Sequence, residues 1–157
     1  VEAKVPVTGR DDDGYTPLRF AVARGNAEMV AALIKAGAPV NRSAMQAGAK
    51  FQDHKGNLVA GEDDLLPQAI RKDNEEVVKI LLKAKVNLNS RENRYDRYTA
   101  LHKAAKGGYT EMAVLLLQAG ADPNGKDGHG RTPLDVCRNE EISKLLDKAG
   151  GVRTQKD

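Results

Sequence analysis

At 157 residues, with 25 Lys/Arg against 22 Asp/Glu and a formal charge of +3, the chain has the length of one domain and is only mildly basic. Two Phe and no Trp are too few aromatics to fill a conventional globular core of this size. A single cysteine excludes an intramolecular disulfide framework and a cysteine-rich metal site, and no apolar run approaches the length of a membrane span.

Residues 1–15 are too short for a structural unit of their own and read as an extended N-terminal cover over the first helix pair or as the remnant of a trimmed unit, with Val5 and Val7 where the tail of such a unit would lie. The run Asp11-Asp12-Asp13-Gly14 suggests a calcium loop, but the terminal Glu of such a loop is missing and the run falls where a turn is expected. Thr16 is an N-cap, and Pro17 sits where its missing N–H costs nothing. The spacing then predicts helices over 16–24 and 27–36, burying Leu18, Ala21, Val22, Met29, Val30, Leu33 and Ile34. Residues 44–58 carry two short semi-apolar arms around Lys55-Gly56-Asn57, which would make either a lengthened hairpin or a plain surface loop. Further helices are predicted over 65–72, 75–84, 100–107, 110–119, 133–138 and 140–148, several of them ended by Gly or by turn chemistry such as Asp122-Pro123-Asn124-Gly125.

The same unit recurs four times: a capped short helix, a break, a second apolar helix, then a turn. The clearest copy is TALHKAAKGGYTEMAVLLLQAGADPNGKD, Thr99 to Asp127, matched by TPLRFAVARGNAEMVAALIKAGAPVNR from Thr16, by DLLPQAIRKDNEEVVKILLKAKVNLNSR from Asp64 and by TPLDVCRNEEISKLLDKAG from Thr132. These segments resemble ankyrin repeats in the pattern Thr99-Ala100-Leu101-His102, Ala104-Ala105 and Gly120-Ala121-Asp122-Pro123-Asn124, over about four-fifths of the chain. The resemblance implies an all-α ankyrin-repeat solenoid of stacked helix–turn–helix pairs with projecting inter-repeat β-turn fingers, one of them lengthened. On that register a single domain spans 1–157: cover 1–15, repeat one 16–43, insertion 44–58, repeat two 59–93, repeat three 94–126, a shortened capping repeat 127–150 and a polar tail 151–157.

Repeat two departs most from the family pattern. Pro67 stands for its His, and Asp73 and Lys85 stand where Gly is usual, which puts a side chain into a left-handed turn. The turn before repeat three is two residues longer and holds Tyr95, Arg97 and Tyr98. In repeat four, Asp147 takes a place that Ile34, Leu82 and Leu117 hold elsewhere, as suits a capping unit facing water.

Chemistry is thin. His54, His102 and His129 lack metal-ligand spacing, His102 occupies the family's structural His position, and Cys137 replaces a buried Ala of a first helix. Gly128-His129-Gly130 and Gly125-Lys126-Asp127 match no nucleotide loop. With no nucleophile beside a base, no metal site and no cofactor box, the sequence points to a binding protein rather than an enzyme.

For an ankyrin-like stack the resemblance implies a protein partner, met by the finger turns and the exposed side of the first helices. The solvent-facing ends of those helices give Ala23 and Arg24, Arg71 and Lys72, and Lys106 and Gly107, four of them basic and none acidic. Residues 65–126 hold 11 Lys/Arg against 7 Asp/Glu, so the basic excess sits in the middle repeats. The candidate partner-binding set is therefore Tyr15, Arg24, Phe51, His54, Lys55, Arg71, Lys72, Tyr95, Arg97, Tyr98, Lys106, His129 and Arg131. The expected partner is a protein with an acidic surface or cleft, bound by a monomer, with inhibition of a partner enzyme as the sharper version. A structural tether is the alternative, and nucleic acid ranks below both because the only aromatic interleaving is Tyr95 and Tyr98. The default compartment is cytoplasmic; secreted and periplasmic stay open because the chain begins at Val1 rather than at a methionine.

Overall fold

A computed structural model describes residues 7–12, 15–41, 65–92 and 96–154. It contains eight helices among them: α1 Pro17–Arg24, α2 Ala27–Lys35, α3 Leu65–Arg71, α4 Glu75–Lys83, α5 Ala100–Gly107, α6 Thr110–Gln118, α7 Pro133–Val136 and α8 Glu140–Lys148. The one β feature among the described residues is an isolated antiparallel bridge between Arg91 and Thr99 at the base of a finger.

Caps set the boundaries. Thr16 accepts the N–H of Arg19 at 3.2 Å, and Thr99 and Thr132 each close a reciprocal box with the third helical residue, His102 and Asp135. Second helices use asparagine: Asn26, Asn74 and Asn139 accept the N–H groups of Met29, Val77 and Ile142 at 2.9, 3.0 and 3.0 Å. Tyr109 stands at the same place before α6 without a side-chain bond. Its ring instead covers Gly107, where an added Cβ would meet Tyr109 Cε2 at 2.3 Å, so glycine there is demanded by the ring. Helix α7 stops at Val136 rather than at 138, because Cys137 turns to an extended ψ of 130° to feed a shortened connection. Half-buried Cys137 donates its thiol to the carbonyl of Asn139 at 3.2 Å.

The helices form two layers. First helices α1, α3, α5 and α7 pack in sequence, second helices α2, α4, α6 and α8 pack in sequence, and each pair packs internally. Between the layers lie Leu18, Val22, Val30, Leu66, Ile70, Val78, Leu81, Leu101, Leu116, Ile142 and Leu146, none more than 1% exposed. Such small aliphatic ladders explain how a chain without Trp makes a core. Met29 was expected on this ladder and is instead half exposed. Its equivalents Val77, Met112 and Ile142 are buried because an outer helix precedes theirs; among the described residues none precedes α2. Asp147 is exposed, as the sequence suggests for the outer face of the last pair.

Side-chain amides stitch the pairs together. Asn41 donates to the carbonyl of Lys85 at 2.9 Å and accepts from Asn87 N. Asn89 accepts from Asp122 N at 3.0 Å, and Asn124 donates to the carbonyl of Gly150 at 2.9 Å while accepting from Val152 N at 2.8 Å. Asn74 Nδ2 donates to the carbonyl of Gly25 at 2.8 Å. The polar tail after Gly150 is held through Thr154: Thr132 Oγ1 donates to the Val152 carbonyl at 2.7 Å, Arg153 Nη1 to that of Leu134 at 2.9 Å, and Thr154 bonds Asp135. Asp73 and Lys85, which stand where glycine is usual, have φ of 52° and 57°, the left-handed geometry expected there, and Arg97 in the longer turn shares it with φ of 49°. The insertion 44–58 and residues 155–157 of the tail lie outside the described residues.

Candidate functional site

The site begins with His102, fully buried at the start of α5. Its Nε2 lies 2.9 Å from the carbonyl of Arg131, which can only accept, so Nε2 carries the proton and Nδ1 is free to accept from Thr99 Oγ1 at 2.8 Å. Burial pushes its pKa below the ordinary value of 6.5, and the bond to Arg131 only partly opposes that. The imidazole is a neutral strut between one finger and the next.

Tyr98 stacks on that imidazole, with centroids 5.6 Å apart and planes 20° from parallel. It is 2% exposed. Three cations surround the ring: Lys103 Nζ at 5.1 Å, Lys106 Nζ at 4.9 Å and Arg131 Cζ at 5.7 Å from its centroid. Its hydroxyl accepts from Lys106 Nζ at 3.2 Å and from Arg131 Nη2 at 3.1 Å. Tyr98, placed by its sequence in the candidate partner-binding set, has its side chain covered and braces the finger.

Two of these cations are neutralised locally. Lys103 pairs with Glu92 at 2.8 Å, both side chains largely covered, and Arg131 Nε pairs with the buried carboxylate of Asp127 at 2.8 Å. Burial alone would raise Asp127, but the backbone N–H groups of Arg131 and His129 and the Arg131 guanidinium hold it below the usual carboxylate range. Arg131 Nη2 and His129 Nε2 also reach Asp96 at 3.3 and 3.2 Å. Arg131 and His129 therefore belong to a finger-to-finger network.

The remaining cations differ. Arg24, Arg71 and Lys106 lie in the last turns of α1, α3 and α5, with Lys72 just after α3. All four are exposed, and none has a carboxylate partner among the described residues. Arg24 folds back over the ring of Phe20 at 5.4 Å, and Phe20 is half exposed. Sequence reasoning passed over Phe20; its place matches Gln68 and Lys103 on the same helix side, which was the available signal. Tyr15, half-buried, lies under the Arg19 guanidinium at 4.8 Å, and Arg97 is exposed at its finger. Phe51, His54, Lys55 and Tyr95 lie outside the described residues. No group of three His, Cys, Asp or Glu among the described residues is placed to hold a metal ion, and no helix among them is long and apolar enough to cross a membrane.

Helix–turn–helix pairs in two layers, joined by fingers and glycine-type left-handed turns, define a helical repeat protein. The chain belongs to the ankyrin-repeat family: the model for ankyrin repeats in three copies matches residues 66–156, and that for a single ankyrin repeat matches 13–44. It is similar to the NF-kappa-B inhibitor cactus of Drosophila yakuba, 27% identical over 88% of this chain and 39% of that protein. It is similar also to the B-cell lymphoma 3 protein homolog of Mus musculus, 28% identical over 87% of this chain and 27% of that protein. A segment of the potassium channel GORK of Arabidopsis thaliana is 38% identical over 54% of this chain, only 10% of the channel. The chain spans two fifths or less of these relatives. Ankyrin repeats are protein–protein interaction modules, generally without enzymatic activity of their own.

Proposed function

We propose that this chain is a non-enzymatic recognition module whose first-helix face binds an acidic region of a partner protein, and that binding inhibits the partner by covering its working surface. The observation that carries this reading is the set Arg24, Arg71, Lys72 and Lys106, exposed and without a carboxylate partner among the described residues, in a molecule that pairs Lys103 and Arg131 internally. Uncompensated cations repel one another, so a row of them stabilises a complex with an acidic surface more than the free protein. The likeness to a protein named as an inhibitor supports the inhibitory version. The match to one tenth of a channel favours a second reading, a tether within a larger assembly. Nucleic acid ranks lower still, because the ring of Tyr98 is covered and has no face for a base.

The test is affinity capture with the wild-type chain and the Arg71→Glu/Lys72→Glu double variant in parallel, followed by association kinetics of the captured partner against salt. A partner of the proposed kind is lost with the variant, and its association with wild type slows about tenfold between low and physiological salt. A partner captured equally by both proteins, with association indifferent to salt, overturns the reading.

A further inference from the structure

Three asparagines hold the same place at successive joints of the stack. Asn41 donates Nδ2 to the Lys85 carbonyl at 2.9 Å and accepts from Asn87 N. Asn124 makes the same pair of bonds to the tail, to the Gly150 carbonyl at 2.9 Å and from Val152 N at 2.8 Å. Asn89 accepts from Asp122 N at 3.0 Å. What differs is the residue that follows each of them: Arg42, Gly125 and Ser90 in turn. Asn124-Gly125 is the one Asn-Gly step in the sequence.

An asparagine followed by glycine can cyclise on its own backbone. The nitrogen of the next residue, on losing its proton to hydroxide, attacks the side-chain Cγ. A C–N bond forms there, the Cγ–Nδ2 bond breaks and ammonia leaves. Water then opens the five-membered imide at one carbonyl or the other, giving aspartate or isoaspartate with no change of oxidation state. A Cβ on the next residue hinders the approach; glycine removes it and supplies the backbone freedom that ring closure needs. Gly125 N is held only by a long bond, 3.4 Å to the Asp122 carbonyl, and both Asn124 and Gly125 are partly open to water. The restraint comes from the tail. Attack makes Cγ tetrahedral, which carries Oδ1 and Nδ2 out of the plane in which they bond Val152 and Gly150.

We infer that Asn124-Gly125 is a self-modifying site, held back by the docked tail, and that its deamidation releases that tail. Each opening of Gly151–Thr154 frees Asn124 to react. The product cannot close the joint again. In aspartate the oxygen that replaces Nδ2 is an acceptor facing the acceptor carbonyl of Gly150, and an unmatched pair of that kind costs more than a missing bond. Its charge also adds to that of Asp122, whose Oδ1 already accepts from Asn124 N at 2.8 Å. Isoaspartate lengthens the main chain by one methylene and moves the side chain off its partners. Undocking is thus reversible before the reaction and irreversible after it, so the site records how long the tail has been open.

Peptide-mapping mass spectrometry tests this on the whole chain, held in mildly alkaline buffer at physiological temperature and sampled over time. Asn124 should lose its amide in wild type while Asn41 and Asn89 keep theirs. Arg153→Ala removes the bond from Nη1 to the Leu134 carbonyl at 2.9 Å, away from Asn124, and should speed that loss about fivefold through more frequent opening. Gly125→Ala should keep the amide with circular dichroism unchanged, since an added Cβ there meets Asp122 O at 3.6 Å, an ordinary contact. Hydrogen exchange reads the consequence: in Asn124→Asp the amides of Val152 and Thr154 should exchange about tenfold faster than in wild type. Amide loss at Asn124 no faster than at Asn41 overturns the site. Equal loss in wild type and Arg153→Ala overturns the restraint by the tail, and unchanged exchange in Asn124→Asp overturns its release.

Discussion

Replacing Tyr98 with alanine removes a ring that is 2% exposed and stacked on His102 with centroids 5.6 Å apart. Truncating a buried aromatic to Ala costs about 3–5 kcal/mol through lost burial and the cavity left behind. The hydroxyl end is bordered by the long side chains of Lys106 and Arg131, which can close on part of the gap, so the lower figure of about 3 kcal/mol applies. For a chain of this size that is about 6–12 °C in melting temperature. Tyr98→Phe isolates the hydroxyl: it keeps the ring but loses the bonds from Lys106 at 3.2 Å and Arg131 at 3.1 Å. Both donors can then turn to water, which limits the loss to about 1 kcal/mol. Urea unfolding followed by far-ultraviolet circular dichroism measures all three proteins. A Tyr98→Ala midpoint within error of wild type would refute the burial argument, and a Tyr98→Phe loss equal to that of Tyr98→Ala would refute the assignment of most of the energy to the ring.

His102 makes stability depend on pH. Its folded pKa is depressed by burial, so between that value and the ordinary 6.5 the unfolded chain holds more protons, and stability falls as pH drops below about 6.5. His102→Gln should flatten this dependence between pH 7 and 5, and an unchanged slope would exclude His102 as its source. The held-down carboxylates of Asp127 and Asp135 contribute stability that is lost only at more acid pH, below about 4, so the two windows separate. Lys85→Gly should stabilise by about 1 kcal/mol, because φ of 57° strains a residue with a Cβ, and a loss of stability in chemical unfolding would show that the lysine side chain matters more than its backbone.

The helices were legible because their ends are written locally. Thr16, Thr99, Thr132 and the asparagines that begin second helices announce themselves, and all eight helices start and stop within two residues of the predicted bounds, seven of them within one. What local pattern cannot convey is which copy lies at an open side of the stack. Met29 and Met112 occupy the same place in their repeats, yet one is half exposed and the other 3% exposed. Tyr98 is the opposite case. An aromatic in a finger turn looks available for a partner, and only the position of His102 and of three cations from α5 and the next finger reveals that it is enclosed. Docking of Gly151–Thr154 was hidden for a related reason, since its partners Asn124, Thr132, Leu134 and Asp135 lie upstream and leave no trace in the tail's own composition.

The asparagine seam has a consequence for how such a molecule can change. Among the described residues, Asn41, Asn74, Asn89 and Asn124 each reach across to main-chain atoms of another pair. Main-chain groups are the same whatever residue carries them, so the joint does not read its neighbour's identity. On the recognition reading proposed above, Arg24, Arg71 or Lys72 can therefore be exchanged for residues suited to a different target without loosening the connection between pairs. Targeting and cohesion are written in separate atoms, and one can drift while the other stays fixed.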